Sequence, residues 1–218
     1  MSMITISNEI LNKNPEFSVG VLEFPIQIKN GDSLNNLIKE TEEAVNNQYN
    51  IEDVIKIPTI LSGRNAYKAF GKDPSRYRLA VESLFRRLSK GNTLYRINNA
   101  VDLGNILSIN TKKSIAVLDS DSIEGDIHIR LGTNEDEYYG IGRGKLNIEN
   151  IPLYEDQIGP FGSSTSDTER TMIKDSTKNI LLFIIAFNGK SDLSRDMEYA
   201  KELYSSYASV SEFKSYIL

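Results

Sequence analysis

A glutamate beside a glycine is the pair of residues in this sequence best placed to do chemistry. Glu124 and Gly125 close an acidic turn that contains Asp119 and Asp121, and an alternating apolar strand follows. Glycine lets a ligand approach the backbone closely, and a carboxylate there can accept hydrogen bonds from a bound group. We take Glu124 and Gly125 as candidate substrate-binding residues. The plainer alternative is that Glu124 is an ordinary turn carboxylate, with Asp119 and Asp121 shaping the turn.

The single histidine, His128, lies in the strand after this turn. It alternates with Ile127 and Ile129, so its side chain points to the opposite face from theirs, and we interpret it as a structural residue. The absence of cysteine excludes disulfides, thiolate nucleophiles and cysteine-bound zinc. A serine–histidine–aspartate triad would have to use His128, and a metal would need carboxylates for nearly all its ligands. We expect no metal and no cofactor, and we assign no catalytic side chain.

A glycine-rich segment, residues 140–145, resembles a phosphate-binding loop only at first sight. Gly140, Gly142 and Gly144 lack the Walker spacing, Lys145 is not followed by serine or threonine, and no helix is predicted after it. Three glycines between strands are more typical of a hairpin whose turn has positive φ angles.

Basic residues are concentrated in the helix predicted after Asp73 and Pro74: Arg76, Arg78, Arg86, Arg87 and Lys90. The simpler interpretation is a solvated helix face with cations near the C-terminus. The alternative is a stripe that contacts phosphates, with Arg86, Arg87 and Lys90 as the candidate contacts. The formal net charge of −5 means that any RNA partner would have to meet such a local patch.

The elements that must position these residues alternate between strands and helices. Strands are predicted for residues 3–10, 17–28, 114–118, 126–131, 137–141, 145–148 and 180–187. Helices are predicted for residues 32–47, 58–70, 73–90 and 96–110, and after Ser191 or Ser194. Gly71 is expected to stop the second helix, and the asparagines of the fourth are expected to tie down neighbouring backbone.

The polar segment of residues 159–171 is left with two interpretations. It is either a mobile surface loop or a binding loop whose hydroxyls and Arg170 face the same cavity as Glu124. If the segment is a binding loop, part of the site lies outside the predicted helices and strands.

Composition limits the broad class. The chain has 218 residues, of which 39% are hydrophobic and 25% charged, as in ordinary globular domains. The N-terminus has no basic region followed by an apolar run, and the longest apolar run, residues 180–187, is too short to span a membrane. A soluble cytoplasmic protein without membrane contact is therefore expected, and the oligomeric state is left open.

Four segments in the same order resemble the B3/B4 domain of the phenylalanyl-tRNA synthetase β chain, in a free-standing form. They are residues 66–78, residues 97–105, residues 118–127 with Arg130, and Arg170-Thr171 ahead of residues 177–181. The resemblance implies an α+β fold, a three-layer β/β/α sandwich with mixed sheets around a cleft. It further implies one domain over residues 1–218, with the core at about 60–190 and an N-terminal strand–helix unit and a C-terminal helix packed on it.

The resemblance also implies a function. The synthetase domain hydrolyses tyrosine wrongly esterified to phenylalanine tRNA, and its Ile-Glu-Gly glutamate, which is thought to recognise the para-hydroxyl of tyrosine, falls on Glu124. A carboxylate that accepts a hydrogen bond from a phenol discriminates well, because phenylalanine would leave it unpaired. The substrate-binding residues suggested on this basis are Glu124, Gly125, Asn98, Asn99, Gly142, Lys145, Arg170 and Thr171. The expected partners are tRNA or aminoacyl-tRNA and an aromatic amino acid moiety.

Two positions depart from the family pattern. The family's His-Ala-Phe-Asp stretch is Ala116-Val117-Leu118-Asp119 here, and a pocket threonine is replaced by Lys145. With no thiol and no placed histidine, ester cleavage would have to be water-mediated, assisted by orientation and backbone amides. The flanking synthetase domains are absent, so ligase activity is not expected.

Two hypotheses follow. The first is an editing hydrolase that acts in trans on mischarged aminoacyl-tRNA. The second is a non-catalytic module that binds tRNA ends, amino acids or a protein. Clustering of Arg86, Arg87, Lys90 and Lys145 on one rim of a cleft would favour nucleic acid, and scatter would favour a small-molecule or protein ligand.

Overall fold

The computed structural model describes residues 3–218 and shows two four-stranded β-sheets and a layer of helices. The larger strands and the short hairpin strands are β1 (Ile4–Ile6), β2 (Ser18–Pro25), β3 (Ser114–Asp119), β4 (Ile127–Leu131), β5 (Tyr139–Gly140), β6 (Gly144–Lys145), β7 (Pro152–Glu155), β8 (Pro160–Ser163), β9 (Asn179–Ala186) and β10 (Lys214–Ile217). The α-helices are α1 (Asn8–Lys13), α2 (Asn35–Gln48), α3 (Pro58–Phe70), α4 (Ala80–Leu88), α5 (Asn99–Thr111) and α6 (Leu193–Ala208).

The central sheet has the strand order β10-β2-β9-β3 and is antiparallel throughout. Helices α4 and α5 pack on β3, and α6 packs on β2 and β9. Because helices cover one face and a second sheet covers the other, β9 is buried from Ile180 to Ala186. This explains the unbroken apolar run from which a buried strand was predicted.

The outer sheet has the order β1-β4-β7-β8, with β1 parallel to β4 and the other pairs antiparallel. Tyr154 of this sheet meets Phe183 of the central sheet, with ring centroids 5.0 Å apart. The three layers are therefore helices, central sheet and outer sheet. The predicted α+β fold is confirmed, with the mixed pairing found in the outer sheet.

Several local predictions are confirmed. Helix α3 ends at Gly71, whose φ of 98° lies in the left-handed region. Asn98 caps α5 by accepting a hydrogen bond from the Val101 amide at 3.0 Å. His128 is exposed while Ile127 and Ile129 are buried, as the alternation in β4 predicts.

Other boundaries were predicted wrongly. Residues 3–10 do not form one strand, because the hydroxyl of Ser7 accepts from the Ile10 amide and starts α1. Residues 73–77 form a turn rather than a helix start: the Asp73 carboxylate accepts from the Ser75 amide, and α4 begins only at Ala80. In this turn the Pro74 carbonyl accepts a hydrogen bond from Arg64 instead of an intrahelical partner.

The segment of residues 159–171 is not a mobile surface loop. It contains β8 and the short helical turn Glu169–Thr171, and five of its hydroxyl residues are buried: Ser163, Ser164, Thr165, Thr168 and Thr171. Strands β7, β8 and β10 were not predicted. Met1 and Ser2 lie outside the described residues. Both were included in the predicted domain of residues 1–218 and in the N-terminal segment for which no signal peptide was predicted. The single-domain organisation stays a prediction.

Candidate functional site

Glu124 lies on the connection between the short helical turn Ser120–Ser122 and β4. Its side chain is exposed and lines none of the cavities found in residues 3–218. Its backbone amide donates to the Asp156 carboxylate at 2.8 Å. The next residue, Gly125, has a φ of 77°, which a side chain would strain. The position of Glu124 is therefore fixed through its backbone while its carboxylate faces solvent.

Arg170 is brought close to Glu124, as one interpretation of the polar segment predicted. Its guanidinium donates to both oxygens of Asp156, at 2.9 and 2.8 Å, and to the carbonyl oxygens of Ser122 and Gly159. Burial raises the pKa of Asp156, but hydrogen bonds from Arg170 and from backbone amides, including that of Glu124, outweigh it and hold the pKa below its ordinary value. Arg170 and Asp156 thus hold together the turn that carries Glu124.

Three more of the predicted binding residues are buried and bonded to backbone. The amide of Asn99 accepts from the Lys29 N–H at 2.9 Å and donates to the Gln27 carbonyl at 3.0 Å, as expected of an asparagine that ties down its neighbours. Asn98 is the cap of α5, and the Thr171 hydroxyl donates to the Phe161 carbonyl at 3.0 Å. Their part in substrate binding stays a prediction.

Gly142 and Lys145 belong to the hairpin β5–β6. Gly142 has a φ of 65° and Gly144 a φ of 68°, which confirms the hairpin with positive φ angles. Lys145 is exposed and lies 3.6 Å from Glu137. It lines a separate cavity beside Thr133 and not the cleft described below.

The basic candidates do not share one rim. Arg87 lies over the ring of Tyr95, with its guanidinium carbon 3.9 Å from the ring centroid. Arg86 and Lys90 line none of the five cavities described, and Lys145 lines a different one from Arg87. By the criterion stated for these four residues, the arrangement is scatter, which favours a small ligand over an extended RNA contact.

A cleft of about 290 Å³ lies between α4, α5 and the segment after β8, and we call it the α4–α5 cleft. It is lined by Ala80, Ser83, Leu84, Arg87, Tyr95, Asn105, Ser108, Ile115, Arg143, Thr165 and Asp167. The sequence singled out none of these side chains as substrate-binding residues. Arg87 was named only as a possible tRNA contact.

Asp167 carries the most unusual group of the cleft. Its Oδ1 atom is buried and has no hydrogen-bond partner among the described residues. Burial raises the pKa of Asp167 to about 7, and the backbone amide of Ser163 partly opposes that rise. A Cβ on Gly162 would lie 2.8 Å from Oδ1, so the glycine leaves room for the carboxyl. Near neutral pH this group can both accept and donate protons.

Buried tyrosines hold the segment that carries Asp167. The hydroxyl of Tyr67 is 2.6 Å from the Ser164 hydroxyl and 2.8 Å from that of Thr165, and Tyr138 donates to the Ser166 carbonyl. Burial raises the pKa of Tyr67 to about 12, with both hydroxyl contacts opposing it, so the phenol stays protonated. The Ser164 carbonyl accepts from the Ala80 amide at 2.9 Å, which joins this segment to the start of α4.

The largest of the described cavities, about 750 Å³, lies elsewhere, between α3, the end of α5 and α6. Its charged groups satisfy one another: Lys113 pairs with Asp196 at 2.6 Å, and Arg195 pairs with Asp192 at 3.3 Å. It offers no buried polar atom in need of a partner. Within residues 3–218, no three histidine, aspartate or glutamate side chains converge as a metal ligand set would.

Sequence signals for the cleft were weak but present. The hydroxyl-rich segment of residues 159–171 predicted a binding loop, and Thr165 and Asp167 of that segment do line the cleft. The expectation that its residues would share a cavity with Glu124 is wrong. Arg143 was not predicted as a site residue. The Ile141 amide donates to the Asp167 carbonyl at 2.9 Å, and this bond places the glycine-rich hairpin, with Arg143, beside the cleft.

The fold and the cleft define a three-layer α+β domain with one polar cleft between its helices and the segment that follows the outer sheet. The model of the B3/4 domain family matches residues 62–208, and the chain belongs to that family. The predicted resemblance is thereby confirmed. None of the helices described has both the length and the apolar character that crossing a bilayer requires.

Among solved structures, the chain is similar to an N-terminal fragment of the phenylalanyl-tRNA synthetase beta-subunit from Pyrococcus horikoshii. The TM-score is 0.48 and the sequence identity 13%, and the match covers 99% of this chain and 50% of that one. This chain thus spans about half the length of that fragment. No curated protein is a significant match.

Proposed function

We propose that this protein hydrolyses mischarged aminoacyl-tRNA in trans in the cytoplasm, with tyrosine on phenylalanine tRNA as the simplest substrate. The α4–α5 cleft receives the aminoacyl group. The observation that carries the proposal is the buried Oδ1 atom of Asp167, which has no hydrogen-bond partner among the described residues, in a polar cleft that Arg87 and Arg143 also line. Membership of the B3/4 domain family supports the choice of substrate class.

The chemistry asked of the cleft is modest, because an aminoacyl ester is already activated. Water adds to the ester carbonyl carbon, the bond from that carbon to the ribose oxygen breaks, and the ribose oxygen takes up a proton. Asp167, whose pKa burial raises to about 7, takes the proton from the attacking water and returns it to the leaving oxygen. Burial and the tyrosine contacts to its segment hold this group in place for the reaction.

Glu124 lies outside the α4–α5 cleft, so its proposed role as reader of the para-hydroxyl requires that the tyrosine side chain extends out of the cleft to reach it. An exposed carboxylate is already hydrogen-bonded to water. A ligand hydroxyl that replaces this water therefore adds little binding free energy. Selectivity from Glu124 therefore requires that bound substrate covers it.

The test is release of tyrosine and of phenylalanine from charged phenylalanine tRNA by the wild type and by variants. Asp167→Asn should slow tyrosine release at least about a hundredfold, in the range that general acid–base groups contribute. Glu124→Ala should reduce the preference for tyrosine over phenylalanine, and Glu135→Gln, at an exposed acid outside the cleft, should change neither rate. Wild-type release no faster than in buffer at high protein concentration would rule the proposal out.

A non-catalytic amino-acid-binding module is the second candidate. It is favoured by the scatter of Arg86, Lys90 and Lys145 away from the cleft. In that case tyrosine or a phenylalanine analogue should raise the unfolding temperature while charged tRNA is left intact. Absence of any shift with amino acids or tRNA would count against it.

A further inference from the structure

An arginine–tyrosine stack lies at the α4–α5 cleft. Arg87 lies 3.9 Å over the ring centroid of Tyr95, and its guanidinium also donates to the Tyr95 hydroxyl at 3.0 Å and to the Thr93 carbonyl. These bonds fix the arginine on one face of the ring. Tyr95 is nevertheless 58% exposed, so its exposed surface is the opposite face and the edge. One side of the ring is thus backed by a cation and the other is open.

Arg143 is a second cation in the same cleft. It lies in the turn of the hairpin β5–β6, and its side chain is exposed. Among residues 3–218, its guanidinium has no ion-pair or hydrogen-bond partner. It therefore remains available to a ligand anion, whereas Arg87 already donates two hydrogen bonds, to Thr93 and Tyr95.

We propose that Tyr95 and Arg143 form a subsite for the terminal nucleotide of single-stranded RNA, with the base stacked on the open face of Tyr95 and Arg143 contacting a phosphate. The assignment rests on the proposed function, which requires an RNA end beside the cleft. Aromatic rings and arginine planes are the surfaces on which unpaired bases stack, and a ring backed by a guanidinium is held rigid for that contact. The stack gives affinity without strong base preference, because every base has a π-face.

The charge balance agrees with a small local subsite. The net charge of −5 repels polynucleotides overall, and Arg86, Lys90 and Lys145 lie off this cleft. A contact of one or two nucleotides needs only one free arginine and one stacking ring. The subsite therefore fits an RNA end rather than a duplex.

The experiment measures binding of an uncharged single-stranded RNA that ends in -CCA, labelled at its 5′ end, to the full chain by fluorescence anisotropy. Tyr95→Ala should weaken binding at least about fivefold, as loss of one stacked base does, whereas Tyr95→Phe keeps the ring and should stay within about twofold. Arg143→Gln should weaken binding and lower the slope of log affinity against log salt by about one. Tyr207→Ala removes another exposed tyrosine ring, 41% exposed and on α6, and should have no effect.

Three results would overturn the subsite. One is Tyr95→Ala binding the RNA as tightly as the wild type. Another is Tyr207→Ala weakening binding as much as Tyr95→Ala does. The third is 5′-AMP binding as tightly as the RNA, which would assign the stack to free nucleotides instead. The RNA carries no aminoacyl ester, so this experiment measures binding alone. If the protein fails to hydrolyse aminoacyl-tRNA, the binding result still stands. If the RNA fails to bind, the hydrolysis assay still decides the proposed function.

Discussion

Arg170 and Asp156 form a two-pronged ion pair, with nitrogen–oxygen distances of 2.9 and 2.8 Å, beneath the turn that carries Glu124. The Asp156 carboxylate is also the acceptor for the Glu124 amide and for the amides of Ile158 and Gly159. Five hydrogen bonds from four residues, in three segments, thus converge on one buried carboxylate. The acidic turn is held by this pair and by the Asp119 carboxylate, which accepts from the Asp121 amide and the Ser122 hydroxyl as predicted for a turn-forming residue.

Replacing Arg170 by methionine should therefore destabilise the fold by about 2–3 kcal/mol, because a buried carboxylate loses its cation. The change in the free energy of unfolding can be measured by urea titration. Lys56→Met is the control, since Lys56 pairs with Asp53 at the surface, and it should cost less than about 0.5 kcal/mol. Equal costs for the two variants would contradict the role given to Arg170.

The same pair should make stability depend on acid. The pKa of Asp156 is lowered in the fold, so its contribution is present above the unfolded value of about 3.9 and is lost as pH falls through the lower folded value. Arg170→Met should weaken that acid dependence between about pH 5 and 2. A wild type and variant that differ by a constant amount over this range would argue against the coupling.

Gly125 and Gly142 differ in what surrounds them although both have positive φ. A Cβ at Gly125 would lie 2.5 Å from the Gln157 side-chain amide, whereas nothing lies within 4 Å of one at Gly142. Gly142→Ala should cost about 1 kcal/mol from backbone strain alone. Gly125→Ala should cost about 1 kcal/mol more because Gln157 must move. Thermal unfolding of the two variants measures the difference, and an equal loss would show that Gln157 moves freely.

Asp167 should make the protein less stable as pH rises. Its pKa is about 7 in the fold, so between about pH 4 and 7 the folded state holds a proton that the unfolded state has lost. Stability should fall by about 2–3 kcal/mol from pH 5 to 8 through this group and then level off. The charge of Asp167 raises the pKa of Tyr138 and of Tyr154, and Arg87 and Arg143 are the cations that line the same cleft.

Asp167→Asn should abolish this component, and the wild-type minus variant difference isolates it from other groups. Urea unfolding at several pH values makes the measurement, with the exposed-site variant Asp175→Asn as control. A difference that stays flat from pH 5 to 8 would mean that Asp167 is ionised throughout.

Lys113 and Asp196 form the most deeply buried ion pair described, 2.6 Å apart, with side chains 2% and 5% exposed. Lys113→Met should cost about 3 kcal/mol, because it leaves a buried carboxylate with only the exposed Arg195 nearby. The double variant Lys113→Met/Asp196→Leu should recover most of that loss. Additive losses in a double-mutant cycle would show that the two residues act independently.

Features set by neighbouring residues were predictable from the sequence. The stop at Gly71, the contact of the Asn98 amide with neighbouring backbone and the outward face of His128 each depend on a few consecutive residues, and all three are confirmed. The helix start at Asp73 failed for the opposite reason. Arg64, from the preceding helix, takes the Pro74 carbonyl, and no local pattern reports that competition.

The cleft depended on contacts between distant segments. Tyr67 and Ser164 are 97 positions apart, and nothing in either neighbourhood signals that they meet. Strands β7 and β8 were not predicted from the sequence. Each begins with a proline, Pro152 or Pro160, which usually indicates a break in a strand but is tolerated at its first position. The partnerless state of Asp167 follows from this packing and from no motif.

The walls of the α4–α5 cleft come from all three layers: Arg87 and Asn105 from helices, Ile115 from the central sheet, and Asp167 from the segment that leaves the outer sheet. A molecule that fills the cleft would therefore contact elements of all three layers at once. Occupancy should slow amide hydrogen exchange in α5 and β8 together rather than at the contact residues alone. The ligand would therefore stabilise helices and strands that lie beyond its direct contacts.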